Sequence, residues 1–167
     1  GETIWIHPGS AEPYPLVQEL VRQAERLKDV EIVHILTWGE AGYVQPGMEK
    51  HFHHTALFTG PNVREAVNEG RADFVPIFLS EVSDLFLSGA IKVDTALVHL
   101  SPPDEHGFCS FGVGVDNTMA VSRTARKIIA LVNNNMPRVH GDNFIHVSRL
   151  THVVEMDVPL KELPRPQ

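Results

Sequence analysis

A chain of 167 residues has the length of one ordinary domain, and 43% apolar with 21% charged residues is the usage of a globule with a sizeable core. A formal charge of −7 supplies no basic face for a phosphate backbone, which argues against nucleic acid, and no stretch approaches the roughly 20 apolar residues that cross a bilayer. The single cysteine cannot close an internal disulfide and no basic-then-apolar leader is present, so a reducing compartment, the cytoplasm, is expected.

In chain order, Thr3–His7 is a short β-rich run that enters the loop Pro8–Pro13. Leu16, Val17, Leu20, Val21, Ala24 and Leu27 recur with helical spacing and predict an amphipathic helix from about Tyr14 to Lys28. Val30–Leu36 is the next strand. Trp38–Thr55 carries His51, His53 and His54, has no clear period and reads as irregular, with Ala56–Phe58 as a short strand. Asn62 is expected to cap a helix that runs to Glu69 and is closed by Gly70. Asp73–Phe78 reads as a strand cut at Pro76, and Ser80 opens a helix that carries Leu85, Phe86 and Leu87 and stops at Gly89. Val93–Leu100 is the clearest strand, because near-continuous apolar character implies burial on both faces of a parallel sheet. A helix over Asn117–Arg126, a strand over Lys127–Asn133 and weaker strands at Phe144–Val147 and Val153–Glu155 follow. Strands alternating with helices predict an α/β fold, an open, mainly parallel sheet flanked by helices. One domain over residues 1–160 is expected, with the Pro-rich residues 161–167 as a linker. The abrupt start on a strand and the Pro-rich close suggest a domain taken from something longer, or one subunit of a pair.

In open α/β sheets ligands gather beyond the carboxyl ends of the strands. Pro8–Pro13, Pro76–Glu81 and Ser101–Gly114 each follow a strand and are rich in Gly, Pro or Ser, so they are expected to line one crevice. In the last of them Pro102 and Pro103 hold the chain extended, Asp104–Gly107 supplies a turn, and Cys109, Ser110, Gly112 and Gly114 keep the backbone slim. A tight connection with Asp104 as its cap accounts for the same residue types without any chemistry.

Other local readings fare worse. Gly112-Val-Gly-Val-Asp-Asn117 fails as a dinucleotide fingerprint, since Asn117 stands where the third glycine belongs, and no Gly-Lys-Ser/Thr is present. Cys109 lies between Phe108 and Phe111 on what reads as a short buried strand, which makes it a packed, inert thiol rather than a nucleophile served by His106. His51, His53 and His54 lack zinc spacing and read as a partly exposed, solvated cluster, so no metal is expected. Arg64, Arg71 and Arg138 read as scattered surface cations.

Four segments then occur in order: His7-Pro-Gly-Ser-Ala-Glu-Pro13, Gly70-Arg-Ala-Asp-Phe-Val-Pro-Ile-Phe-Leu-Ser-Glu81, Val98-His-Leu-Ser-Pro-Pro-Asp-Glu-His-Gly-Phe-Cys-Ser-Phe-Gly112 and Val132-Asn-Asn-Asn-Met-Pro-Arg-Val-His-Gly141. This set resembles the amino-terminal domain of the acetyl-CoA hydrolase/transferase family, class I CoA-transferases that include 4-hydroxybutyrate CoA-transferases. The resemblance covers about Thr3 to Leu160 and implies a fold like ribose-5-phosphate isomerase, with an active site between two such halves. It implies transfer of CoA between carboxylates through a glutamyl-CoA thioester, with coenzyme A as substrate and backbone amides holding the oxyanion. The family's nucleophilic glutamate belongs to the carboxy-terminal half, so none of Glu12, Glu81 or Glu105 is assigned that role, and this half alone is expected to be inactive. What carries over is lining: Gly9, Ser10 and Ala11 for one wall, Pro103, Asp104, Gly107 and Ser110 for another, with Asn133 and Gly141 shaping neighbouring turns. The implied partners are the carboxy-terminal half, an acyl-CoA, short carboxylates and further copies of the complete enzyme. An acyl-CoA hydrolase of the same family and a non-catalytic half-domain for assembly or ligand sensing are the alternatives.

Overall fold

The structure, a computed structural model, describes residues 1–163; residues 164–167 of the expected linker lie outside the described part. Its centre is a seven-stranded sheet in which every neighbouring pair is parallel. The strands are β1 (Thr3–Ile6), β2 (Val30–His34), β3 (Phe52–Ala56), β4 (Asp73–Phe74), β5 (Thr95–Leu100), β7 (Lys127–Val132) and β9 (His152–Glu155), in the order β4-β3-β2-β1-β5-β7-β9. Two short strands, β6 (Phe108–Ser110) and β8 (Phe144–His146), pair antiparallel beside it. The helices are α1 (Tyr14–Arg22), α2 (Pro61–Asn68), α3 (Val82–Leu87) and α4 (Thr118–Thr124).

Alternation along each strand divides the core between the two faces of the sheet. Trp5, Val33, Ala96, Val98, Leu100 and Ala130 pack with Phe86 of α3, Val121 of α4, and Cys109 and Ile145 of the small β6–β8 pair. Ile4, Ile6, Ile32, Phe52 and Leu97 pack on the other face with Val17 of α1, Val63 and Ala66 of α2, and Tyr43 and Val44. The β5 run is buried at every position, as its unbroken apolar character requires.

Several boundaries differ from expectation for identifiable reasons. The irregular segment ends in β3, which pairs along its length with β2; its inward residues are Phe52, His54 and Ala56, and a neutral buried histidine fills the place of an apolar one. His51 and His54 are therefore buried rather than solvated, and only His53 is exposed. Asn62 is not the cap of α2: Pro61 opens that helix after Gly60, and the Asn62 amide reaches across to Thr37 Oγ1 (2.9 Å) and the Gly39 carbonyl (3.0 Å). α1 stops at Arg22 and gives way to a 3-10 turn over Ala24–Arg26, which still seats Ala24 in the core. β4 keeps only Asp73 and Phe74, since Pro76 cannot donate to a sheet and the chain leaves before it. Among the described residues no helix is long and apolar enough to cross a membrane.

Candidate active-site crevice

The winding of the sheet reverses at β1: β2, β3 and β4 extend to one side and β5, β7 and β9 to the other. In open α/β sheets the ligand crevice lies at such a switch, beyond the carboxyl ends of the strands, and the loops leaving β1 and β5 meet there. Gly9–Ala11 forms one bank. Gly9 has a φ of +64°, its N–H donates to the Leu36 carbonyl at 2.6 Å, and it bridges to Thr37, so the β1 loop is stitched to the loop after β2. Ser10 is half-buried and Ala11 is fully buried.

Below this bank lies Glu12, only 3% exposed. One carboxylate oxygen, Oε2, accepts the N–H groups of Trp38 (3.0 Å) and Gly39 (2.5 Å). Burial pushes this carboxyl above the usual range, and the two amides oppose the shift. A side chain at position 39 would collide with the Glu12 carboxylate, which is why a glycine sits there.

The opposite bank comes from the loop after β5. Gly114 presses against the first bank closely enough that a Cβ there would lie 2.3 Å from His7 Nε2 and 2.4 Å from the Ala11 Cβ. His7 Nδ1 accepts the N–H of His99 at 3.1 Å, so its proton resides on Nε2, which donates to the Gly114 carbonyl at 2.7 Å. His99 in turn accepts from Asn133 Nδ2 at 2.9 Å, and the same amide group donates to the Val158 carbonyl at 2.8 Å. Burial lowers the pKa of both histidines, that of His99 to about 4, so both are neutral at physiological pH. A chain of His7, His99 and Asn133 thus ties the ends of β1, β5 and β7 together under the crevice.

The Pro-Pro corner is open. Pro102 and Pro103 line a cavity of about 340 Å³ with Val132, Asn134, Glu155, Met156 and Asp157, at the carboxyl ends of β5, β7 and β9. The next residues are spent on the loop itself. Asp104 Oδ1 accepts the N–H groups of His106 (3.0 Å) and Phe108 (2.8 Å), Oδ2 pairs with Arg138 at 2.5 Å, and these contacts lower its pKa, the Phe108 amide foremost. Gly107 has a φ of +81° and backs onto the His146 ring. Ser110 Oγ is fully buried: it donates towards Asn143 Oδ1 (3.1 Å) or the Val139 carbonyl (3.3 Å) and accepts the N–H groups of Gly112 and Val139. Of the residues expected to line the site, Gly9, Ser10 and Ala11 lie on the β1 loop at the switch point and Pro103 borders the cavity beyond β5. Asp104, Gly107 and Ser110 lie with the β6–β8 pair and brace it.

Pro76–Glu81, the third expected loop, leaves β4 at the sheet edge; its cavity is lined by Phe74, Pro76, Ile77, Phe78 and Glu81, with no residue of the other two loops. Cys109 is buried and burial raises its pKa, which leaves it a protonated packing group. No three of the His, Cys, Asp and Glu side chains among the described residues are grouped to hold a metal ion. Glu12, His7 and His99 were missed as site residues by sequence reasoning. The signal for His7 and His99 was present as polar residues at the carboxyl ends of apolar strands, whereas Glu12 lies in the loop beyond β1 and carried no such signal.

The whole of residues 1–160 matches the acetyl-CoA hydrolase/transferase N-terminal domain. The chain belongs to that family. It is 47% identical over 156 residues to the 4-hydroxybutyrate coenzyme A transferase of Clostridium kluyveri, covering 93% of this chain and 36% of that protein. The crystal structure of 4-hydroxybutyrate CoA-transferase from Porphyromonas gingivalis superimposes with a TM-score of 0.82 at 33% identity, over 98% of this chain and 37% of that one. RipA from Yersinia pestis gives a TM-score of 0.92 at 29% identity, over 99% and 41%. The chain therefore spans between about a third and two-fifths of the length of these relatives.

Proposed function

We propose that this chain is the amino-terminal half of a CoA-transferase that moves CoA between acetyl-CoA and a short acid of the butyrate or 4-hydroxybutyrate type. In this reading coenzyme A enters as a substrate thioester. The attacking glutamate belongs to a carboxy-terminal half outside these 167 residues, and the complete enzyme is a homo-oligomer. The relatives' names and the switch-point crevice support the substrate class and its place on the fold.

The condition of Glu12, Asp104 and Asp157, three of the carboxylates near the crevice, supports the division of labour; Glu155, at the end of β9, lines the same Pro-Pro cavity. A nucleophilic carboxylate needs a free lone pair facing the thioester carbonyl, with donors positioned for the oxyanion. Glu12 is buried with its Oε2 taken by the Trp38 and Gly39 amides, and Asp104 is committed to its turn and to Arg138. Asp157 accepts the backbone and side-chain N–H groups of Asn134. This half is left to shape, dry and narrow the chamber, with the Gly9–Ala11 backbone and the Pro103 corner facing the thioester.

The test is complementation. The purified chain, mixed with the carboxy-terminal part of the Clostridium kluyveri relative, is expected to pass CoA from acetyl-CoA to short carboxylates, and neither part is expected to do so alone. Free CoA released without a new acyl-CoA would move the reading to the hydrolase branch. Turnover of an acyl-CoA by the 167-residue chain by itself would overturn it.

A further inference from the structure

Away from the switch crevice, between α4 and the β6–β8 pair, lies a cavity of about 250 Å³ that shares no residue with the crevice. Its floor is apolar: Phe111, Met119, Phe144 and Ile145. Its rim carries Arg123, Arg149 and His146. In a chain whose net charge is −7, this is a local concentration of the opposite sign, held in a concavity where low-dielectric walls focus the field.

The two guanidinium groups are held differently. Arg149 Nη2 donates to the Ser122 carbonyl on α4 at 3.1 Å, which fixes the side chain beside the cavity, and among the described residues it pairs with no carboxylate. Arg123 faces Asp142 at 3.4 Å, but both side chains are largely exposed, so the pair is weak and easily exchanged. Arg123 also lies against the sulfur of Met119, which joins the charged rim to the apolar floor. His146 Nδ1 is engaged with Ser148, which holds the ring at the edge.

We propose that this cavity binds a short organic monoanion, its carboxylate received by Arg149 and Arg123 and its hydrocarbon laid on Phe111, Met119 and Phe144. Planar guanidinium groups match a carboxylate in two-point geometry, and a small apolar pocket with few polar groups at one end selects an amphipathic guest. A fully hydrated inorganic anion would leave the aromatic floor wet, and a cation would meet the arginines. The assignment is independent of the transferase reading.

The Met119 methyl group reports on the site directly. In a chain labelled with 13C at its methionine methyls, butyrate is expected to shift the Met119 resonance saturably and to leave Met48, on the opposite face of the sheet, unmoved. Butylammonium and inorganic phosphate are expected to leave it unmoved too. Arg149→Met should weaken the butyrate effect by about tenfold, the value of one charged hydrogen bond. Arg149→Lys should keep part of it. If Arg149→Met fails to fold, Arg123→Gln reads the other guanidinium, and the ligand panel on the unaltered chain stands by itself. An absent or unsaturable butyrate shift, an equal shift with phosphate or butylammonium, or a folded Arg149→Met that binds as before would each overturn the proposal.

Discussion

Glu12 is a charge placed where a charge is costly. Its carboxyl titrates above the usual range because burial outweighs the amides of Trp38 and Gly39. A raised acid contributes stability that is fully present below its unfolded pKa and lost as pH rises through the folded one. Glu12→Gln, which keeps an acceptor oxygen for both amides, is therefore expected to raise the urea midpoint at neutral pH and to leave it unchanged near pH 4. The buried histidines titrate in the opposite sense. His54 and His99 are lowered to about 4, His7 and His34 are lowered as well, and burial is the leading cause in each. Their stabilising effect is complete above the unfolded pKa and falls away between about pH 6.5 and 4, by roughly 3 kcal/mol for each of His54 and His99. Denaturant midpoints across that range should drop steeply, with uptake of more than one proton on unfolding at pH 5. A flat profile would mean that these rings are hydrated.

At the scale of elements, the contact between the β1 and β5 loops rests on one missing side chain. Gly114→Ala would set a methyl group against His7 and Ala11, and overpacking of this kind costs about 1–3 kcal/mol. We expect a lowered thermal midpoint together with loss of complementation, because the methyl forces the two banks of the crevice apart. Asp104→Ala tests the turn below the Pro-Pro corner. Faster hydrogen exchange at the His106 and Phe108 amides is expected, since both lose their acceptor, with the centre of the sheet unaffected. Elements also differ in how plainly they are written in the chain. β5 announces itself, since six consecutive buried positions leave an unbroken apolar run. β3 is disguised, because His54 and Thr55 take buried sheet positions while glycines and histidines upstream erase the period. The crevice was half legible for a similar reason. The slim β1 and β5 loops show in Gly, Pro and Ser, whereas the engagement of Asp104 and Ser110 depends on Arg138, Val139 and Asn143, some thirty residues away.

The molecule as a whole keeps a greasy corner in contact with water. Phe58, Phe74, Phe78 and Leu79, all near the carboxyl ends of β3 and β4, are between 48% and 76% exposed. Solvent-facing apolar side chains in this number mark a surface that another surface covers. The isolated chain is expected to self-associate with rising concentration, and Phe78→Asp to shift sedimentation towards the monomer without changing the circular dichroism.

The strand order has one more consequence. β1 begins at the third residue yet stands in the middle of the sheet, with β2 on one flank and β5 on the other, whereas β9 is an outer plank. Loss of β1 would pull out the keel, whereas loss of β9 would strip only a margin of the sheet. The keel is separated along the chain from β2 by about thirty residues and from β5 by about ninety, so half of its pairing depends on closing a long loop.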